Sequence, residues 1–178
     1  IAIEAALTGH LLFSTLHTNN APETVTRLVD IGIDPVTLSD ALLCVLAQRL
    51  IKTLCKKCAV AGEIATETLE EIGATKEGDK YKLLDKEFSI AEGKIKGEGC
   101  EACNGTGLKG RMGIHELLVC TDEVKRMIVS GARIHEIRET GKQTSESGHR
   151  MYELFEDGYY KVLQGSTDFH QVRAVCVD

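Results

Sequence analysis

The sequence predicts an α/β fold: the end of a helix-and-strand domain, a cysteine-bearing insert, and a helical C-terminal part. Three observations carry that expectation. Helical and strand-like patterns alternate over residues 1–54, two C-x-x-C pairs bracket a polar stretch, and amphipathic helical patterns fill the chain after Thr121.

Residues 1–8 have apolar positions at helical spacing and stop at Gly9. His10–Leu16 (HLLFSTL) predicts a short, largely apolar strand. Asn20, Pro22 and Glu23 supply a cap, a first-turn proline and the third-position acid of a capping box, so a helix is expected to about Ile31, before Gly32. Asp34-Pro35 opens a second helix by the same logic, with Val36, Leu38, Leu42, Val45 and Leu46 as its apolar stripe. Gln48–Leu54 is expected to be the strand that delivers the chain to Cys55.

Residues 59–99 are rich in Gly and charge; a short helix at 67–72 and a loop or hairpin at Gly78-Asp79 are expected. Arg111–Val119 reads as a strand leaving the second cysteine pair. Helices are expected at about 122–130, 134–139, 149–163 and 168–176. The expected organisation is therefore residues 1–54 as the back half of an α/β domain, 55–118 as a metal-binding subdomain and 119–178 as a helical subdomain.

Composition narrows the function. The 178 residues carry 21 basic and 27 acidic side chains, a net charge of −6, with no dense basic patch, which argues against nucleic acid as a partner. No apolar run approaches the ~18–20 residues needed to span a bilayer. The first residues lack a basic start and a cleavage site, and open in mid-pattern without a methionine. The chain is accordingly expected to be a fragment of a longer protein.

Four of the seven cysteines form the pairs Cys55/Cys58 and Cys100/Cys103. In a chain with no secretory signal, that pattern favours a metal over disulfides. Two intervening residues let both thiolates of a pair turn onto one cation, and four such ligands make a closed, structural zinc site. The 41 residues between the pairs (100 − 58 − 1) are no obstacle, because loop closure grows only logarithmically with length. Four thiolates around Zn²⁺ leave a net charge of −2, which Lys56, Lys57, Lys109 and Arg111 lie close enough in sequence to offset. Cys44, Cys120 and Cys176 lie among Leu and Val and are expected as small core residues. Gly105-Thr106-Gly107-Leu108-Lys109-Gly110 matches G-x-G-x-x-G, but it follows a cysteine knuckle and precedes a strand, so it reads as a turn and not as a dinucleotide fingerprint.

His10 and His17 bracket the expected strand with Thr, Ser and Asn beside them, and strand ends of open α/β sheets are where phosphate ligands bind. Four blocks then carry a resemblance: TGHLLFSTLHTNNAP, LAQRLIKTLC-x-x-C, GC-x-x-CNGTG-x-x-GR-x-GIHELL and DG-x-x-KVLQG-x-T, in that order. Together they resemble the type II secretion and type IV pilus assembly ATPases, RecA-like P-loop enzymes related to the retraction ATPases. The stretch between the cysteine pairs matches poorly.

The resemblance implies that His10 and His17 are the histidine box near the γ-phosphate, that Gln48 and Arg49 face the nucleotide, and that the cysteines are the zinc-binding tetracysteine motif. The retraction branch lacks that motif. The resemblance also implies ATP and Mg²⁺ in the intact parent, a homohexamer, and a cytoplasmic location at the inner membrane through a platform protein.

No G-x-x-x-x-G-K-[ST] occurs in these residues, so the phosphate cradle is missing and the chain alone is expected to be inactive towards ATP. Two other readings stand beside this one. Cys100–Gly107 fits the C-x-x-C-x-G-x-G repeat of chaperone cysteine-rich domains, but Cys58–Gly62 does not. A zinc-ribbon nucleic-acid module is opposed by the net charge.

Overall fold

Among the residues described by the computed structural model (2–90, 93–146 and 148–176), three helices and then one long strand precede the insert, the insert mixes short strands with helix, and helices make up the end. The chain forms two compact units. One takes residues up to Gln48 together with His115–Glu153, and the other takes Arg49–Ile114 together with the chain from Leu154 onward.

The first unit holds α1 (Ala2–Leu7), α2 (Ala21–Asp30), α3 (Pro35–Ala41), α5 (Asp122–Val129) and α6 (Ile134–Lys142), and the last four follow local code at their starts. Asn20 Oδ1 accepts from Glu23 N–H at 2.9 Å to cap α2, and Asp34 Oδ2 accepts from Thr37 N–H at 2.9 Å to cap α3. Glu23 returns a bond to Asn19 N–H at 3.0 Å, one residue earlier than a standard capping box. Thr121 caps α5 through Val124 N–H. Val25, Leu38, Leu118, Val124, Ile128, Ile137 and Met151 pack into one apolar core. Complete burial of Leu38 and Leu118 makes each worth about 2–5 kcal/mol against alanine.

Two expectations fail here. Residues 10–16 form no strand: they are irregular, with Leu11, Leu12, Phe13 and Leu16 exposed. A strand needs a neighbour to take its N–H and C=O groups, and no described strand pairs with this segment. The second helix ends at Ala41, and Val45 and Leu46 belong instead to β1 (Cys44–Leu54). Pairing wins there: β1 is hydrogen-bonded to β7 (Leu108–Val119), and Leu43 C=O accepts from Cys120 N–H at 2.9 Å. Cys44 is therefore exposed on the strand, whereas Cys120 is buried and Cys176 half-buried.

In the second unit the insert has its own small framework. β2 (Val60–Ala61) pairs with β6 (Lys94–Ile95). Helix α4 (Thr66–Ile72) ends on Gly73 in the left-handed conformation. β3 (Thr75–Glu77), β4 (Lys80–Leu83) and β5 (Lys86–Ser89) form an antiparallel meander whose first turn is the expected Gly78-Asp79. Tyr81 is buried, and its hydroxyl accepts from Ile64 N–H at 2.8 Å.

Helix α7 (Leu154–Leu163) starts five residues later than expected and packs on α8 (Phe169–Cys176), with Gly158 facing Val172. Tyr160 of α7 donates to Asp85 Oδ1 at 3.2 Å and stacks on Phe88, so the β4–β5 hairpin is seated on this helix.

Candidate metal centre

The ends of β1 and β7 bring the two cysteine pairs together. β1 runs out at Leu54 and delivers Cys55 and Cys58; Cys100 and Cys103 sit on a short 3₁₀ turn that precedes β7. A backbone bond from Cys55 N–H to Gly107 C=O, 2.9 Å, joins the two knuckles. Their close approach needs glycine. A Cβ on Gly97 would lie 1.8 Å from Cys58 O, and one on Gly99 would lie 2.3 Å from Gly105 O. Gly99 also has φ +116, in the region that favours glycine.

All four sulfurs lie within 4.8 Å of one another. Cys55–Cys100, Cys58–Cys103 and Cys100–Cys103 are each separated by 3.8 Å. A tetrahedral site with metal–sulfur bonds of ~2.3 Å has sulfur–sulfur edges of about 3.8 Å. The same separation is far longer than a disulfide bond of ~2.05 Å. The donor set fits a soft, tetrahedral divalent ion with no position left for a reacting water, which is the arrangement of a structural centre.

Backbone amides already point at the sulfurs. Cys103 Sγ accepts from Cys100 N–H and Gly107 N–H, both at 3.2 Å. Burial pushes the Cys103 thiol up, but those N–H groups and the neighbouring thiols outweigh it and bring it down to about 6. The N–H of Lys57 pulls Cys55 below the ordinary thiol value. Cys58 moves the other way, pushed up to about 12 by burial and by the sulfurs around it. A cation at the centre favours the thiolate at all four positions. Lys56, Lys57, Lys109 and Arg111 are exposed around the knuckles.

The other expected site residues lie elsewhere. His10 is exposed, with Nδ1 3.2 Å from Ala5 O and 3.2 Å from Thr8 Oγ1. His17 is exposed just before the start of α2. Gln48 and Arg49 are exposed on β1. Sequence reasoning gave no role to Glu116, a buried carboxylate in β7 that accepts from Ala21 N–H at 2.7 Å. Its signal was available: Glu116 shares the inward-facing alternation of β7 with Leu118. Among the described residues no helix is long and apolar enough to cross a membrane.

The type II/IV secretion system protein family model matches residues 1–174. This chain belongs to that family. Within it, the type IV pilus assembly ATPase PilB of Thermus thermophilus is 44% identical over 178 residues, covering all of this chain and 18% of that protein. The type II secretion system ATPase E of Vibrio cholerae is 41% identical over 177 residues, covering 98% of this chain and 31% of that protein. The type II secretion system protein HxcR of Pseudomonas aeruginosa is 38% identical over 178 residues, covering 31% of its length. This secretion-family chain thus spans about a fifth to a third of the length of these relatives.

Proposed function

We propose that this chain is the zinc-binding C-terminal portion of a RecA-like ATPase that drives type II secretion or type IV pilus assembly. One observation carries the proposal: four sulfurs within 4.8 Å of one another, three of their separations 3.8 Å, in a chain that matches the family along residues 1–174. Cys55, Cys58, Cys100 and Cys103 hold one Zn²⁺. The ion supplies no chemistry; it fixes the start of the insert to its end, so that residues 55–118 behave as one subdomain.

In the intact parent, ATP and Mg²⁺ bind to the preceding P-loop part, which this chain does not contain. His10 and His17 face the γ-phosphate, and Gln48 and Arg49 approach the nucleotide. The parent works as a cytoplasmic homohexamer at the inner membrane, acting on a platform protein, with residues 119–178 as the helical part of each subunit.

The test is metal content. Purified chain should carry one zinc per molecule, and stripping the metal should loosen residues 55–118 in hydrogen exchange. Two zinc ions per chain would favour a chaperone-like cysteine-rich module, and none would remove the reading.

A further inference from the structure

Glu116 is buried, at 3% exposure, and nothing in the proposed reading uses it. A carboxylate taken out of water is costly unless it is well bonded. Its Oε1 meets the backbone N–H of Ala21 at 2.7 Å, within the short range of charge-assisted bonds, across 95 residues of sequence. Ala21 is the first residue of the ten-residue helix α2 and is fully buried. The first N–H groups of a helix lack intrahelical partners, and the helix dipole favours a negative charge there.

The residues around Ala21 are fixed as well, but locally. Asn20 caps through Glu23 N–H, Glu23 holds Asn19 N–H, and Thr18 Oγ1 lies 2.6 Å from Thr24 Oγ1. These bonds fold segment 18–20 onto α2. The Glu116 bond reaches further and ties the start of α2 to strand β7. His17 lies one residue before this fixed segment, at the end of a stretch with no regular structure.

We infer that Glu116 is a positioning residue for His17: by anchoring the first turn of α2 to β7, it sets where that imidazole is presented. This rests on the reading of His17 as a group that acts on bound nucleotide. His10 is tethered separately, to Ala5 at the end of α1, and is outside the reach of this anchor.

The intact ATPase, with E116Q, E116L, H17A and the E116L/H17A double variant, tests it. Glutamine keeps an acceptor at the same reach, so E116Q should hold kcat within about threefold. E116L should lower kcat roughly tenfold to a hundredfold with KM for ATP changed less than about twofold, because misplacement by about 1 Å is that damaging. Amide exchange over residues 17–23 should rise about tenfold in E116L while residues 44–54 keep their protection. The double variant should be no slower than the slower single one, since both remove the same contribution.

The inference is overturned if E116L leaves exchange at 17–23 unchanged, if exchange rises equally across the whole unit, or if the two kcat losses multiply. Failure of the histidine reading has a different signature: H17A turns over normally while E116L still frees 17–23, and Glu116 is then an anchor with no catalytic client. Should E116L not fold, E116D decides by the same readouts, because it keeps the charge and shortens the reach.

Discussion

Replacing Cys100 by serine should strip the metal centre of affinity before it disturbs the rest of the chain. Cys100 Sγ lies 3.8 Å from both Cys55 Sγ and Cys103 Sγ, so it occupies one vertex of a closed tetrahedron and no other sulfur can substitute for it. Structural zinc in small sites has apparent binding energies of about 10–16 kcal/mol. An equal share for each ligand assigns about 3 kcal/mol to Cys100, roughly a hundredfold in affinity. The backbone bonds that shape the knuckles, such as Gly105 N–H to Cys100 C=O at 2.9 Å, survive the substitution and keep the loss near that figure. Competition with a chromophoric chelator measures the affinity, and metal analysis after dialysis measures retention. Hydrogen exchange over 55–118 should rise in the variant, and α5 and α6 should stay protected. Zinc bound as tightly by C100S as by the parent chain would refute the assignment of Cys100, and two zinc ions per parent chain would refute the single tetrahedral centre.

Three further outcomes are expected. The chain alone should show neither ATP hydrolysis nor ATP binding at millimolar or better affinity, by phosphate release and calorimetry; a micromolar dissociation constant would contradict the missing cradle. In the intact ATPase, His10→Ala and His17→Ala should lower turnover more than nucleotide affinity, because the P-loop supplies most of the binding; losses that merely follow the melting temperature would make both residues structural. Gly158→Ala should destabilise the chain by about 1–3 kcal/mol in denaturant titration, since the new methyl would lie 2.4 Å from Cγ1 of Val172, a buried and conformationally stiff residue. A gain in stability would show that α7 and α8 can part freely.

What the sequence made legible was local. Asn20, Asp34 and Thr121 announce their helices because a cap bonds within three residues of itself. The cysteine pairs announce a four-sulfur cluster able to hold a metal because a two-residue spacing and a ligand count of four are both local facts. The failures depend on distant partners. The apolar run at residues 10–16 has strand composition, but composition supplies no neighbour. Val45 and Leu46 suit a helical stripe as well as a strand, and pairing of β1 with β7, more than fifty residues away, decides between them. The hairpin turn at Gly78 was visible, whereas the next turn places Leu84 at φ 54, a conformation that a leucine does not advertise. Glu116 looked like one acid in a strand because its partner lies 95 residues earlier.

The glycines around the metal centre show where its specification resides. Gly97 is required by space, since any side chain there would meet the carbonyl of Cys58. Gly107 is confined as well: a Cβ there would lie 2.6 Å from Gly97 O, and its own N–H is bonded to Cys103 Sγ. The two knuckles are thus interlocked through main chain, and the sulfur geometry follows from that interlock as much as from the C-x-x-C spacing. Among the described residues past Gly62 and before Lys94 no glycine is confined so closely, and the β2–β6 pair and the knuckles already close the ends of the insert. Closure at the base leaves the entropy of the excursion nearly indifferent to its length. The four-sulfur site therefore needs the two ends of the insert held in one geometry, and the main-chain contacts at Gly97, Gly99 and Gly107 supply that geometry without calling on what lies between them.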